Sequence, residues 1–188
     1  MEEVFAVIRK LLQGNSGDRL LLAIDGRCAA GKTTLAAGLH RVFGGNVIHM
    51  DDFFLQPHQR TKERLDEPGG NVDYERFLEE VMLPLQAGKP FSYRKFDCKQ
   101  MDFSAEIAVK PNRLTIVEGA YSCHPALWNF YDLHIFLDIE PKEQLRRIAA
   151  RNGEQALPVF RERWIPLEEK YFFEYNIREE CEYIFYGR

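Results

Sequence analysis

No part of the chain comes near the roughly 18 consecutive apolar residues that a membrane span needs, so no membrane partner is expected. The opening MEEVFAVIRKLLQ lacks the positive charge of a leader and carries Glu2 and Glu3 instead, so no signal peptide is expected either. Cysteine is sparse: Cys28, Cys98, Cys123 and Cys181 are scattered without a C-x-x-C pair. Basic residues are not gathered in one patch, and the net charge of −4 gives no electrostatic ground for a nucleic-acid partner. There is no internal repeat, no low-complexity tract and no linker.

What remains is a chain of 188 residues, 45% hydrophobic and 29% charged, which suits a single domain with a sizeable core. Val4, Phe5, Ile8, Leu11 and Leu12 recur at helical spacing, which predicts an amphipathic helix over 2–13. Short apolar runs follow: LLLAID (20–25), NVIHM (46–50), LTIVEG (114–119), LHIFLD (133–138) and EYIFY (182–186). They are apolar throughout rather than alternating, as strands of a parallel sheet buried on both faces should be. Helices are predicted at 33–42, 74–87, 141–151 and about 158–178, with a small β excursion within 88–112. The expected fold is a three-layer α/β/α sandwich around a five-stranded parallel sheet, with ligands at the C-terminal ends of the strands.

The first apolar run leads directly into DGRCAAGKTT, where Gly26, Gly31, Lys32 and Thr33 match G-x-x-x-x-G-K-[ST]. Glycine permits dihedrals that turn successive N–H groups toward an anion. The following helix adds the positive end of its dipole, Lys32 a full charge, and Thr33 a hydroxyl for Mg²⁺. The nucleotide site is therefore expected across Gly26, Arg27, Cys28, Ala29, Ala30, Gly31, Lys32, Thr33 and Thr34, with ATP and Mg²⁺ as cofactors. A lowered thiol pKa is conceivable for Cys28 inside this loop, although a small filler role suits it better. A nucleotide site together with unpaired cysteines points to reduced thiols and a cytoplasmic location.

Asp51 and Asp52 follow the second apolar run, at the sheet edge that carries the phosphate loop. One could face the γ-phosphate while the other supports it or the metal; capping a turn is an equal alternative. Glu118 ends the third run, where an acidic residue can reach Mg²⁺ directly or through water. Arg146, Arg147, Arg151, Arg161 and Arg163 flank RNGEQALP, which interrupts a helix as a hinged flap would. As a cluster they suggest a lid over about 147–163 that neutralises phosphate charge and excludes water. Singly, each is better explained as part of a solvated helix face with ion pairs to Glu143 and Glu162. Asp73 can bind acceptor hydroxyls or N-cap the following helix, and both stay open. Tyr93 and Arg94 could line the same pocket. Asp66-x-x-Gly69 does not follow an apolar strand and no N-K-x-D occurs, which argues against a GTPase.

The set DGRCAAGKTTLA, VIHMDDFF, NVDYERF and IVEGAYS, with arginines near 147–163, resembles the uridine kinase, phosphoribulokinase and pantothenate kinase superfamily. Nicotinamide riboside kinases share its Asp-Asp-Phe-Phe signature. The resemblance spans residues 20–186. It implies an ATP:alcohol phosphotransferase acting on a nucleoside, uridine- or cytidine-like, or a similar small metabolite. It implies Asp51 as general base and Asp73 at the acceptor's hydroxyls. Glu118 is implied in the Mg²⁺ environment, and Arg147, Arg151, Arg161 and Arg163 as closing over phosphates. Asp52, Tyr93 and Arg94 join the acceptor side. Two departures fall on acceptor recognition: Asp73-Tyr74-Glu75 stands where uridine kinases have Asp-His-Pro, and the lid is shorter. Nicotinamide riboside, pantothenate or a nucleoside monophosphate therefore remain alternative acceptors. A regulatory nucleotide-binding module is the alternative of another class, and a homo-oligomer is left open.

Overall fold

The five apolar runs form one sheet in the computed structural model, which describes residues 2–14 and 19–187. Strands β1 (Leu20–Gly26) and β2 (Asn46–His49) are followed by an antiparallel hairpin, β3 (Phe91–Asp97) and β4 (Asp102–Val109). The sheet is completed by β5 (Leu114–Glu118), β6 (Leu133–Asp138) and β7 (Tyr183–Tyr186). Its order is β2-β5-β1-β6-β7, and every pairing in it is parallel. All residues of β5 and β6 are buried, the signature of a sheet covered on both faces.

Alternation along β1 separates the two cores. Leu20, Leu22 and Ile24 pack with Val4 and Ile8 of α1 (Glu2–Gly14) and with Leu35, Ala36 and Leu39 of α2 (Lys32–Phe43). Ala23 faces the opposite layer, with Phe77, Val81, Tyr171 and Phe172. Phe77 and Val81 belong to a helix over 74–87 (α3), Tyr171 and Phe172 to one over 157–174 (α5), which follows α4 (Pro141–Asn152). This is the expected three-layer α/β/α fold with a five-stranded parallel sheet. Among the described residues no helix is long and apolar enough to cross a membrane.

Two details differ from the sequence pattern, and the expected β excursion is present. Both α3 and α5 contain a π-helical turn, Leu78–Met82 and Phe160–Trp164, each closed by a bond from an N–H to the carbonyl five residues back. Each ends two residues before a proline, Pro84 or Pro166. A proline ring clashes with the carbonyl four residues earlier, and the wider turn accommodates it without ending the helix. The last predicted helix does not run unbroken to 178. Asn176, at φ +50°, breaks it, and Ile177–Glu180 forms a separate turn. The β excursion is a hairpin packed against the turn after β2, with the Tyr93 and Phe53 rings 5.1 Å apart.

Gly26 ends β1 at φ +128°, and a Cβ there would lie 2.1 Å from the Leu137 carbonyl oxygen of β6. Because the obstacle is backbone, no rotamer change relieves it. Gly26→Ala is expected to destabilise the fold by roughly 3 kcal/mol or more, read as a lowered midpoint in urea or thermal unfolding.

Candidate active site

The phosphate loop crosses from β1 to α2 with Gly26, Ala29 and Gly31 at positive φ, the backbone form that turns amides inward. Lys32 is buried at its mouth, and its ammonium donates to the Gly26 carbonyl at 2.5 Å and the Arg27 carbonyl at 3.1 Å. Arg27 contributes only backbone to the loop: its side chain pairs with Asp138 at 2.8 Å and with Glu169. Cys28 is no activated nucleophile. Burial, reinforced by nearby Glu168, pushes its thiol up to about 12.

Thr33, in the first turn of α2, donates to both oxygens of Glu118 at 3.1 and 3.2 Å. Glu118 ends β5 and is in turn held by His49 Nδ1 at 2.5 Å, a bond that raises the imidazole pKa. Asp51 lies in the 3₁₀ turn Met50–Phe53 that follows β2. Gly119 makes that approach feasible, because a Cβ at φ +142° would meet Met50 Cβ at 2.9 Å. The Asp51 side chain is accessible from the cavity, yet the surrounding protein desolvates it enough to raise its pKa. Lys32 opposes that rise and Glu118 adds to it.

These groups share one cavity of about 1030 Å³. Lys32, Thr33, Thr34, Asp51 and Glu118 are on its wall, and so are Arg147 and Arg151 from α4. Arg161 and Arg163 do not line it; both are exposed, with Arg163 over the Trp164 ring at 4.6 Å. Phe160 and Trp164 of the same turn take the cavity side instead. Arg146 lies on the outer face, bonded to Glu143.

The residues expected at the acceptor also lie off the cavity wall. Asp52 is buried between Lys95 at 2.9 Å and the Tyr93 hydroxyl at 3.2 Å. Asp73 N-caps α3 by accepting from the Arg76 amide, and its other oxygen accepts from Gln59 at 2.8 Å. Arg94 stacks on Phe103 at 4.1 Å. Phe54, Arg60, Asn71 and Cys98, from the same stretches of chain, line the cavity instead.

Two acids escaped the sequence pattern. Asp25, buried at the end of β1, accepts from the Gly26 and Cys123 amides and the Tyr171 hydroxyl. As an acidic residue closing an apolar strand, it carried the same signal that singled out Glu118. Glu168 on α5 is buried and accepts the Cys28 amide of the phosphate loop at 3.0 Å. A lone glutamate in a helix carries no such signal. Burial raises its carboxyl to about 7, with Lys32 pulling it down and Asp25 pushing it up.

The donor set fits a triphosphate in the loop and a hard cation at Thr33 and Glu118. Among the described residues no group of three or more His, Cys, Asp or Glu side chains could hold a metal by itself.

No family model matches the sequence. Solved structures do match its fold. A possible uridine kinase from Bacillus stearothermophilus superposes with a TM-score of 0.70 at 21% identity, over 97% of this chain and 99% of that one. The chain shares the fold of P-loop kinases. A Silicibacter sp. TM1040 protein provisionally described as a fructose transport system kinase gives 0.69 at 21% identity, over 94% and 97% of the two chains. A Saccharomyces cerevisiae protein, provisionally described as a P-loop containing kinase with a circular permutation, gives 0.71 at 12%, over 98% of each.

The buried Glu168 yields a pH signature. Below the ordinary carboxyl value of 4.5 both folded and unfolded states are protonated, and Glu168 costs nothing. Between 4.5 and about 7 the unfolded chain releases its proton first, so stability falls as pH rises, and the loss is complete above that window. Glu168→Gln keeps an acceptor for the Cys28 amide without the charge. It should raise stability above neutral pH by an amount on the order of a few kcal/mol and flatten that part of the profile. Urea melts of both proteins across pH 4–8 check this.

Proposed function

We propose that the chain is an ATP-dependent small-molecule kinase that transfers the γ-phosphoryl group to a hydroxyl of a small metabolite. One observation carries the reading: a single cavity holds the phosphate loop, Asp51, and open space beyond both. Its volume of about 1030 Å³ lies at the top of the roughly 300–1,000 Å³ range of ligand pockets. A regulatory module that only binds nucleotide has no use for a carboxylate and a further compartment beyond the phosphates.

In this reading the loop amides and Lys32 hold the β- and γ-phosphates. The acceptor's hydroxyl oxygen attacks the γ-phosphorus while the bond from that phosphorus to the β–γ bridging oxygen breaks. Asp51 takes the hydroxyl proton and ADP departs. Mg²⁺, held by Thr33 and Glu118, would neutralise charge on the phosphates. Arg147 and Arg151 supply positive charge from the cavity wall. Arg161 and Arg163 would join them only after the segment 157–164 moves inward, so the lid over about 147–163 acts mainly through its first half. Phe160 and Trp164 help exclude water.

Asp51→Asn keeps the size of the side chain and cannot accept a proton. Transfer to an acceptor should fall about 10²–10⁴-fold with ATP affinity little changed. Lys32→Ala should abolish transfer in a folded protein. Acceptor-stimulated ADP release and calorimetric ATP binding read both, and near-normal turnover by either variant overturns the assignment. Arg147→Ala or Arg151→Ala should lower kcat more than Arg161→Ala or Arg163→Ala does; the reverse order would put the outer pair at the reacting phosphate.

A further inference from the structure

Three arginines lie in the segments that build the acceptor end, and two of them are already neutralised or displaced. Arg64 makes a two-pronged pair with Glu75, both bonds at 2.6 Å, and approaches Glu67 at 3.6 Å. Arg94 lies on the Phe103 ring, off the cavity wall. Arg60 is different. It is half-buried on the cavity wall and, among the described residues, forms no ion pair. Its Nε donates to the Leu55 carbonyl at 3.0 Å, and Nη2 stands 4.0 Å from Cys98 Sγ.

The carboxylates nearby do not complement it: Asp51 and Asp97 both act on the Cys98 thiol that Arg60 touches, yet among the described residues neither forms an ion pair with Arg60. Asp52 is taken by Lys95 and Tyr93, and Asp73 by Gln59 and the Arg76 amide. The bond from Gln59 to Asp73 also pins the turn Pro57–Gln59, and Gln59 Oε1 accepts the Gln56 amide at 2.8 Å. Arg60 follows immediately, so its backbone is anchored and its Nε bond fixes the direction of the guanidinium. A half-buried cation with a set orientation and no counter-ion, in a cavity built for ligands, matches a ligand anion. Cys98 relates it to the base, since Arg60 touches its sulfur and Asp51 lies near enough to act on the same thiol.

We propose that Arg60 is the specificity-determining residue of an anion subsite, and that the phosphoryl acceptor is a hydroxylated acid, bearing a carboxylate or phosphate besides its reacting hydroxyl. The proposal rests on the kinase reading. In it Asp51 and Arg60 divide the acceptor between them, the hydroxyl to the former and the anion to the latter. A neutral nucleoside leaves Arg60 without a partner. The cost of burying a charge then discriminates against it, as it does in sites built to bind a polar group.

The test uses the whole protein with its phosphate loop filled by a non-hydrolysable ATP analogue and Mg²⁺. Inorganic phosphate and acetate are then added separately, against chloride at matched ionic strength, and unfolding is followed by heating. At concentrations about ten times its Kd, a probe should raise Tm by ~3–6 °C beyond chloride. Arg60→Gln should lose that rise while keeping the full response to the analogue, and Arg60→Lys should keep part of it. A response to phosphate alone assigns a phosphorylated acceptor, and one to acetate a carboxylic acid. No response to either anion, an equal response in Arg60→Gln, or loss of the analogue's effect in that variant overturns the proposal and leaves the kinase reading intact. If the analogue does not stabilise the wild-type protein, the kinase reading fails first and this one with it.

Discussion

Three donors converge on the buried carboxylate of Asp25: the Gly26 amide at 2.6 Å, the Cys123 amide at 2.9 Å and the Tyr171 hydroxyl at 2.9 Å. They come from the phosphate loop, the segment after β5 and helix α5, which are far apart in sequence. Removing a carboxylate from water is costly, and burial does raise its pKa, but Lys32 and the three donors pull it back toward the charged form. The result is a tie at the root of the phosphate loop. A carboxylate left without those donors would be an unpaired buried charge, so the three segments are held to one arrangement.

Around that tie the site is crowded with acids. Asp25, Asp51 and Glu168 all have raised pKa values in which burial is the leading cause and Lys32 the chief opposing charge. One lysine therefore balances several carboxyls before any phosphate is considered. The loop amides, the positive end of the α2 dipole and Arg147 and Arg151 of α4 are further positive groups on the cavity wall. The cavity wall beyond the loop is built differently. Phe54, Arg60 and Asn71 come from the segment between β2 and α3, and Cys98 from the hairpin, so its chemistry can differ without altering the loop.

The sheet and the phosphate loop were legible because their signals are local. Continuous apolar runs mark buried parallel strands, and the spacing from Gly26 to Thr33 marks the turn. Glu118 was legible for the same reason, as an acid closing an apolar strand. Glu168 was not, because its meaning lies in neighbours brought in by folding. The sequence offered Arg60 only as one of three arginines, with Arg64 and Arg94, available for an acceptor's phosphate, and folding decides which of them lacks an opposite charge. The arginines around RNGEQALP illustrate the limit from the other side. Composition indicated a basic cluster, but only helix phase, shifted by the π turn at Phe160–Trp164, directs Phe160 and Trp164 inward and Arg161 and Arg163 outward. Asp73 had two readings open, and its geometry is that of a helix cap which also steadies the turn before Arg60.

The paired π turns and prolines have a mechanical consequence. A proline has no amide proton to offer the ladder, and a π turn replaces the ordinary bonds of its neighbours with longer loops. Along α3 and α5 the cooperative unit is thus not the whole helix but the stretch on either side of a crease, near 78–84 and 160–166. Amide hydrogens at the creases should exchange with solvent sooner than those of the flanking turns. In α5 the crease itself carries Phe160 and Trp164, while Glu168 and Tyr171 lie in the regular helix beyond it, so the cover of the cavity can flex while the anchor on the phosphate loop stays fastened.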